Sequence, residues 1–139
     1  MNTEAYEFET AADVDNLPEL VAFVDELLEE NDCPAKAQMN IDVALDELFV
    51  NIADYAYPEG GGTVKLRAFV TAEFAEITFI DSGVPYNPLE KPDPDVTLGL
   101  KERPIGGLGI YLTKKLMDDI SYKHSDGNNI LTIKKIFNK

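Results

Sequence analysis

Three groups of residues in this chain carry chemistry that the rest must position. Glu47 and Asn51 stand four positions apart, so on a helix both project from one surface about one turn from each other. A carboxylate there could orient or deprotonate a hydroxyl, and a neutral amide oxygen could ligate Mg2+ without repelling an anionic ligand. The exposed polar stripe of an amphipathic helix would give the same pair. Asp81-Ser82-Gly83 puts an acid at the end of an apolar run, followed by a residue that permits a tight turn. That carboxylate could accept a hydrogen bond from the amino group of a base, or could form an Asx turn between strand and loop. Gly106-Gly107-Leu108-Gly109 opens a helical pattern, where glycines allow close backbone approach and the free amides and dipole of a helix start attract phosphate oxygens. A plain glycine-rich helix start is the alternative. No strand directly precedes these glycines and no Lys-Ser/Thr follows them, which separates them from the dinucleotide fingerprint and from the P-loop.

The elements that must hold these groups follow from periodicity. Leu17, Leu20, Val21, Val24, Leu27 and Leu28 recur at helical spacing, with Asn16 and Glu19 at the separation of a capping box, which predicts a helix over 17–30. Asp32-Cys33-Pro34 predicts the start of a second helix, capped by Asp32 and running to about Tyr55, with Ile41, Leu45, Leu48 and Ile52 on its core face. Residues 6–10 fit an edge strand, and 64–70 and 75–81 fit antiparallel neighbours joined at 71–74. The second of these is apolar on both faces and stops at Asp81, the pattern of a central strand that delivers a polar group to its end. Residues 82–105 hold five of the eight prolines and no sustained period, and loops that long are usually functional or disordered. A third helix follows, with Leu108, Leu112, Leu116 and Met117 on one side, and 120–125 and 129–137 flank the turn Asp126-Gly127-Asn128 as a closing hairpin. Strand, two helices, two strands, loop, helix and two strands make an α+β two-layer sandwich with a mainly antiparallel sheet.

Composition sets limits on the ligand. At 139 residues the chain fits one domain, 1–139, that buries roughly two thirds of the surface its unfolded form would expose. Acidic residues outnumber basic ones 26 to 12, and the formal charge of −14 argues against direct binding of nucleic acid or anionic lipid. A phosphate must therefore be captured by local features: amides, a helix start, a divalent cation or a few placed cations. Cys33, the single cysteine, has no partner for an internal disulfide, no apolar stretch reaches the roughly 18 residues of a membrane span, and the first residues lack the pattern of a signal peptide. A cytoplasmic location is expected.

Taken in order, the three groups resemble the N, G1 and G2 boxes of the GHKL superfamily, which includes the ATP-binding domains of gyrase, MutL and histidine kinases. More narrowly, ALDELFVNIADYAY, DSGVPYNP and GGLGIYLTKKLMDDISY resemble the anti-sigma regulatory factor and serine-protein kinase family of bacterial partner-switching systems, and the likeness extends over almost the whole chain. The resemblance implies a Bergerat-type sandwich with helices on one face of the sheet, binding ATP and Mg2+. It implies that Asn51 ligates the metal, Glu47 serves as base or orienting group for a substrate serine or threonine, and Asp81 takes the adenine amino group with Gly83 giving room beside the base. Gly106, Gly107 and Gly109 would cradle phosphates, residues 87–105 would form a lid, and Thr132 would lie near adenine. The implied partners are a small anti-sigma-factor antagonist as protein substrate, a sequestered sigma factor or similar regulator, and a second copy of the chain.

Two positions depart from the family pattern. Pro85 replaces the common second glycine of the G1 box and removes a backbone donor, and Ile105 stands where family kinases often carry an arginine, leaving Arg103 or Lys101 as the nearest cation. Phosphoryl transfer relies on such cations, so a nucleotide-responsive binding module without phosphotransfer is the competing reading. An ATP hydrolase is a third, though the chain has no transducer domain to use the energy. His124, the only histidine, precedes a turn and reads as surface or strand packing, and Cys33 reads as structural. Asp25, Glu26, Glu29 and Glu30 read as a solvated helix face.

Overall fold

The computed structural model describes residues 5–90 and 108–137. Five strands, β1 (Tyr6–Ala11), β2 (Thr63–Val70), β3 (Phe74–Asp81), β4 (Asp119–Ser125) and β5 (Asn128–Ile136), form one sheet in the order β1-β2-β3-β5-β4, with every neighbouring pair antiparallel. β3 is the middle strand, as its two apolar faces predicted. The helices α1 (Leu17–Glu30), α2 (Ala35–Asn51) and α3 (Leu108–Leu116) complete the α+β fold.

Burial follows the two-residue period of the strands. Val64, Leu66, Ala68 and Val70 of β2, Ala75, Ile77 and Phe79 of β3, and Leu131 and Ile133 of β5 are buried with Leu20, Val24 and Leu28 of α1 and Ile41, Leu45, Leu48 and Phe49 of α2. The alternate residues form the other face, where Arg67 pairs with Glu7 across β1 and β2 at 2.9 Å and the hydroxyls of Thr78 and Thr132 lie 3.1 Å apart. The turn after β4 places Asp126 and Gly127 at φ of 54° and 81°, the left-handed geometry of a two-residue hairpin loop.

Several local expectations are corrected. Asn16 does not cap α1: its side chain donates back to Ala11 O at 3.3 Å, because a short 3-10 turn (Val14–Asn16) precedes the helix. Asp32 closes α1 rather than opening α2. It takes a φ of 57° while its amide donates to Glu29 O and that of Cys33 donates to Leu28 O, the Schellman arrangement of a helix end. The α-helical part of α2 stops at Asn51 and continues as a π-helical turn, Ile52–Ala56. The buried positions near α3 are Ile110, Thr113 and Met117, while Leu112 lies exposed, since α3 packs on α2 with a rotation that the apolar spacing alone did not fix.

Asp25 is not part of a solvated face. It meets Asp42 between α1 and α2, where Oδ1 of each is buried without a partner among the described residues. Burial, the hydrogen bond to Asp25, and the charges of Asp25, Asp46 and Glu29 push Asp42 up to about 8, so at neutral pH Asp42 keeps a proton to share across the contact. Cys33 sits beside this pair, and burial with the two aspartates pushes its thiol up to about 11, consistent with an unreactive structural role. A raised folded-state value gives stability that is complete below 3.8 and is lost as pH rises through about 8. Asp42→Asn supplies an amide donor to Asp25, so its Tm at about pH 8 should exceed that of the wild type by a few degrees, and thermal melts across pH should show a flatter slope. An unchanged slope would mean that no proton is shared there.

Candidate functional site

The site lies where the end of α2, the end of β3 and the start of β5 converge. Asp81 and Asn129 are direct partners in the β3–β5 register, and both are buried, 4% exposed each. Asn129 Nδ2 donates to Asp81 Oδ1 at 2.8 Å and to Val84 O at 2.9 Å, while Asn129 Oδ1 accepts from the Tyr86 amide and the Tyr122 hydroxyl. The amide of Gly83 gives Asp81 Oδ1 its second donor at 2.9 Å. Among the described residues Asp81 Oδ2 receives no hydrogen bond. Burial pushes the Asp81 carboxyl above its ordinary value, and Asn129, the Gly83 amide and the charge of His124 oppose that rise.

Gly83 is required by packing. A Cβ on it would lie 2.2 Å from Ala56 O, and the next residue, Val84, donates its amide to that same oxygen at 2.9 Å. The π-helical turn after α2 therefore holds the loop that follows β3. π-turns widen a helix locally and recur at functional sites. Tyr57 adds a second tie, accepting from the Ser82 amide and donating to Thr63 O, both at 2.8 Å, with its ring against Gly62.

Asn51 is buried at 6% exposure. Its Nδ2 donates to Glu47 O and Glu47 Oε1, both at 2.7 Å, and its Oδ1 accepts from the Tyr86 hydroxyl at 3.4 Å. Glu47 and Asn51 are thus one hydrogen-bonded unit, with the amide orienting the carboxylate. That carboxylate rests on Gly109 in the first turn of α3, where a Cβ would come within 2.0 Å of it. An acidic group at the positive end of a helix is electrostatically favoured. Thr113 is fully buried and returns its hydroxyl to Gly109 O at 2.9 Å, which fixes this start of the helix against α2.

Asn51 and Asp81 line one cavity together with Leu48, Phe79, Leu131, Tyr86, Pro88 and Asn129. Its lining sets a carboxylate among apolar side chains, the chemistry that would receive a flat heterocycle bearing an amino group. The neutral amide oxygen of Asn51 is of the type that Mg2+ takes, since that ion uses few protein ligands and completes its shell with phosphates and water.

The structure thus brings Glu47, Asn51, Asp81, Gly83 and Gly109 together. Thr132 is not among them: an odd offset from Asn129 places it on the opposite face, bonded to Thr78. Gly106, Gly107, Lys101, Arg103, Ile105 and most of the 87–105 segment lie outside the described residues. Residues Pro88–Glu90 form a 3-10 turn, and His124 lies exposed on β4. Sequence reasoning missed Asn129, Tyr86 and Tyr122. Only the pairing of Asp81 with Asn129, which joins residues 48 positions apart, marks Asn129 as part of the site.

Removing Asn129 should show how much rests on it. Asn129→Ala leaves the Asp81 carboxylate and the Val84 carbonyl short of a donor, and urea unfolding should record a loss of about 1–3 kcal/mol. Thr132→Ala, on the other face, should cost less; equal losses would deny the network its central place.

The geometry agrees with the relationships of the chain. A family model described as histidine kinase-like ATPase domain matches residues 10–135. Serine-protein kinase RsbW of Bacillus cereus and that of Bacillus mycoides are each 34% identical over 98 residues. Each match covers 68% of this chain and 61% of the relative, so it spans about three fifths of their length. Among solved structures, the RsbU and RsbW domains of a Mycobacterium tuberculosis protein superpose with a TM-score of 0.66 at 15% identity, over 96% of this chain and 33% of that one. The Acinetobacter baumannii histidine kinase AdeS superposes with a TM-score of 0.55 at 18% identity, over 100% of this chain and 70% of that one. These two structures show the fold alone. With the family match across nearly its whole length, the chain belongs to the histidine kinase-like ATPase domain family.

Proposed function

We propose that this protein binds ATP with Mg2+ and transfers the γ-phosphoryl group to a serine or threonine of a small anti-sigma-factor antagonist, its own surface sequestering a sigma factor or similar regulator. The reading rests on Asp81: a buried carboxylate whose Oδ1 is saturated and whose Oδ2 has no donor among the described residues, aimed into an apolar cavity that Asn51 shares. Such an acceptor fits the adenine amino group. The likeness to proteins named serine-protein kinase supports the transfer step.

The residues divide the task. Asp81 and Gly83 select the base, and Asn51 Oδ1 is the oxygen that would hold the metal. Mg2+, when bound, would offset phosphate charge and polarise the phosphorus. Glu47, held by Asn51, takes the proton from the substrate hydroxyl as that oxygen bonds to phosphorus and ADP departs. Gly109, with Gly106 and Gly107 before it in sequence, would present amides to the phosphates against an overall charge of −14. The acidic composition fits a cytoplasmic partner-switching protein that acts on other proteins and pairs with a second copy of itself.

Pro85 has no amide hydrogen to offer and so favours a second reading, a module that binds nucleotide and switches partners without transfer. Labelled ATP, Mg2+ and the cognate antagonist separate the two. Glu47→Ala should retain nucleotide binding and cut labelling roughly 100-fold or more, whereas Asn51→Ala should lose both Mg2+-dependent binding and labelling. Tight binding without label on the antagonist would favour the module. Folded wild-type protein that binds no ATP would remove both readings.

A further inference from the structure

The cavity between Asp81 and Asn51 has a volume of only about 20 Å3, room for about one water molecule and not for a purine. Tyr86 is part of its wall. The ring stacks on Tyr55 with centroids 4.9 Å apart and planes at 20°, its hydroxyl donates to Asn51 Oδ1 at 3.4 Å, and its amide donates to Asn129 Oδ1 at 3.2 Å. Tyr86 therefore touches the residue read as metal ligand and the residue that holds the base-reading acid. In this arrangement both amide hydrogens and the carbonyl oxygen of Asn51 are already engaged within the protein.

We propose that Tyr86 is an internal plug of the nucleotide pocket, which must swing off Asn51 and Tyr55 before nucleotide can enter. The inference rests on the nucleotide reading of this site and adds to it a resting state that the chain imposes on itself. Tyr55 is the seat of the plug. It is 43% exposed, follows Asn51 by one turn within the π-helical segment, and does not line the cavity. The chain thus places the seat beside the pocket and leaves the slot itself to the ligand. A closed resting state lowers apparent affinity by the fraction of molecules that are open, so weakening the plug tightens binding without any new contact to the ligand.

Two variants loosen the plug by independent routes. Tyr86→Phe keeps the ring and removes its hydroxyl from Asn51, and Tyr55→Ala removes the stacking partner without altering the cavity wall. Calorimetric titration with Mg2+ and ADP should show each variant binding roughly 2- to 10-fold more tightly than wild type, the effect expected of one hydrogen bond or one aromatic pair. Adenosine, which needs the pocket open but offers no phosphate, should gain by a similar factor. Wild-type binding with both variants equal or weaker would overturn the plug and leave the nucleotide reading intact. Binding by the variants but not by wild type would support the plug in its strongest form. Failure of all three folded proteins to bind ADP would remove the nucleotide reading, and the plug with it.

Discussion

A carboxylate buried at the end of a central strand must find donors inside the protein or lose its charge. Asp81 finds them in the Asn129 amide and the Gly83 backbone, and the site is organised around that requirement. The Asn129 bond holds at the antiparallel register of β3 and β5, so a slip of one residue would turn Asn129 to the other face. The Gly83 bond demands a tight loop, and the loop stays tight because the π-helical end of α2 offers Ala56 O to Val84 and leaves no room for a Cβ. One polar side chain thereby joins the sheet register, the loop after β3 and the end of α2.

The anionic character of the chain makes the opposite end of the site harder to build. A formal charge of −14 opposes phosphate over most of the surface, and the Glu47 carboxylate lies against the start of α3. Its placement against Gly109, held by Asn51, brings a carboxylate and a helix start to the same point. The surplus acid is managed elsewhere by a retained proton, as at Asp42, which meets Asp25 in the helix interface. Stability and site chemistry therefore depend on pH through different groups in different layers of the fold.

The proposed plug would require that part of this order be undone to admit a ligand. Tyr86 bonds both Asn51 and Asn129, which satisfies polar groups that line an apolar cavity. The same π-helical segment that tightens the loop at Ala56 carries Tyr55, the stacking partner of Tyr86. The tie to the loop at Ala56 and the stacking contact at Tyr55 thus come from neighbouring residues of one turn.

The sequence by itself determined the elements and the pairing of residues that are close in the chain. Apolar periodicity marked the helices and strands, the double-faced run 75–81 marked the central strand, and the spacing of Glu47 and Asn51 put them on one helix surface, because all of these depend on residues close together in the chain. Sequence could not settle which groups would meet across the fold. Asp32 looked like a cap and became the left-handed end of α1; Thr132 looked like a pocket residue and falls on the far face; Asn129, three positions earlier, closes the network instead. Whether Asp25 meets water or Asp42, and whether Tyr86 faces solvent or Asn51, was decided by packing between elements far apart in sequence. The pairing register and the helix rotation decide these contacts, and neither leaves a local signature for a two-residue or 3.6-residue period to reveal.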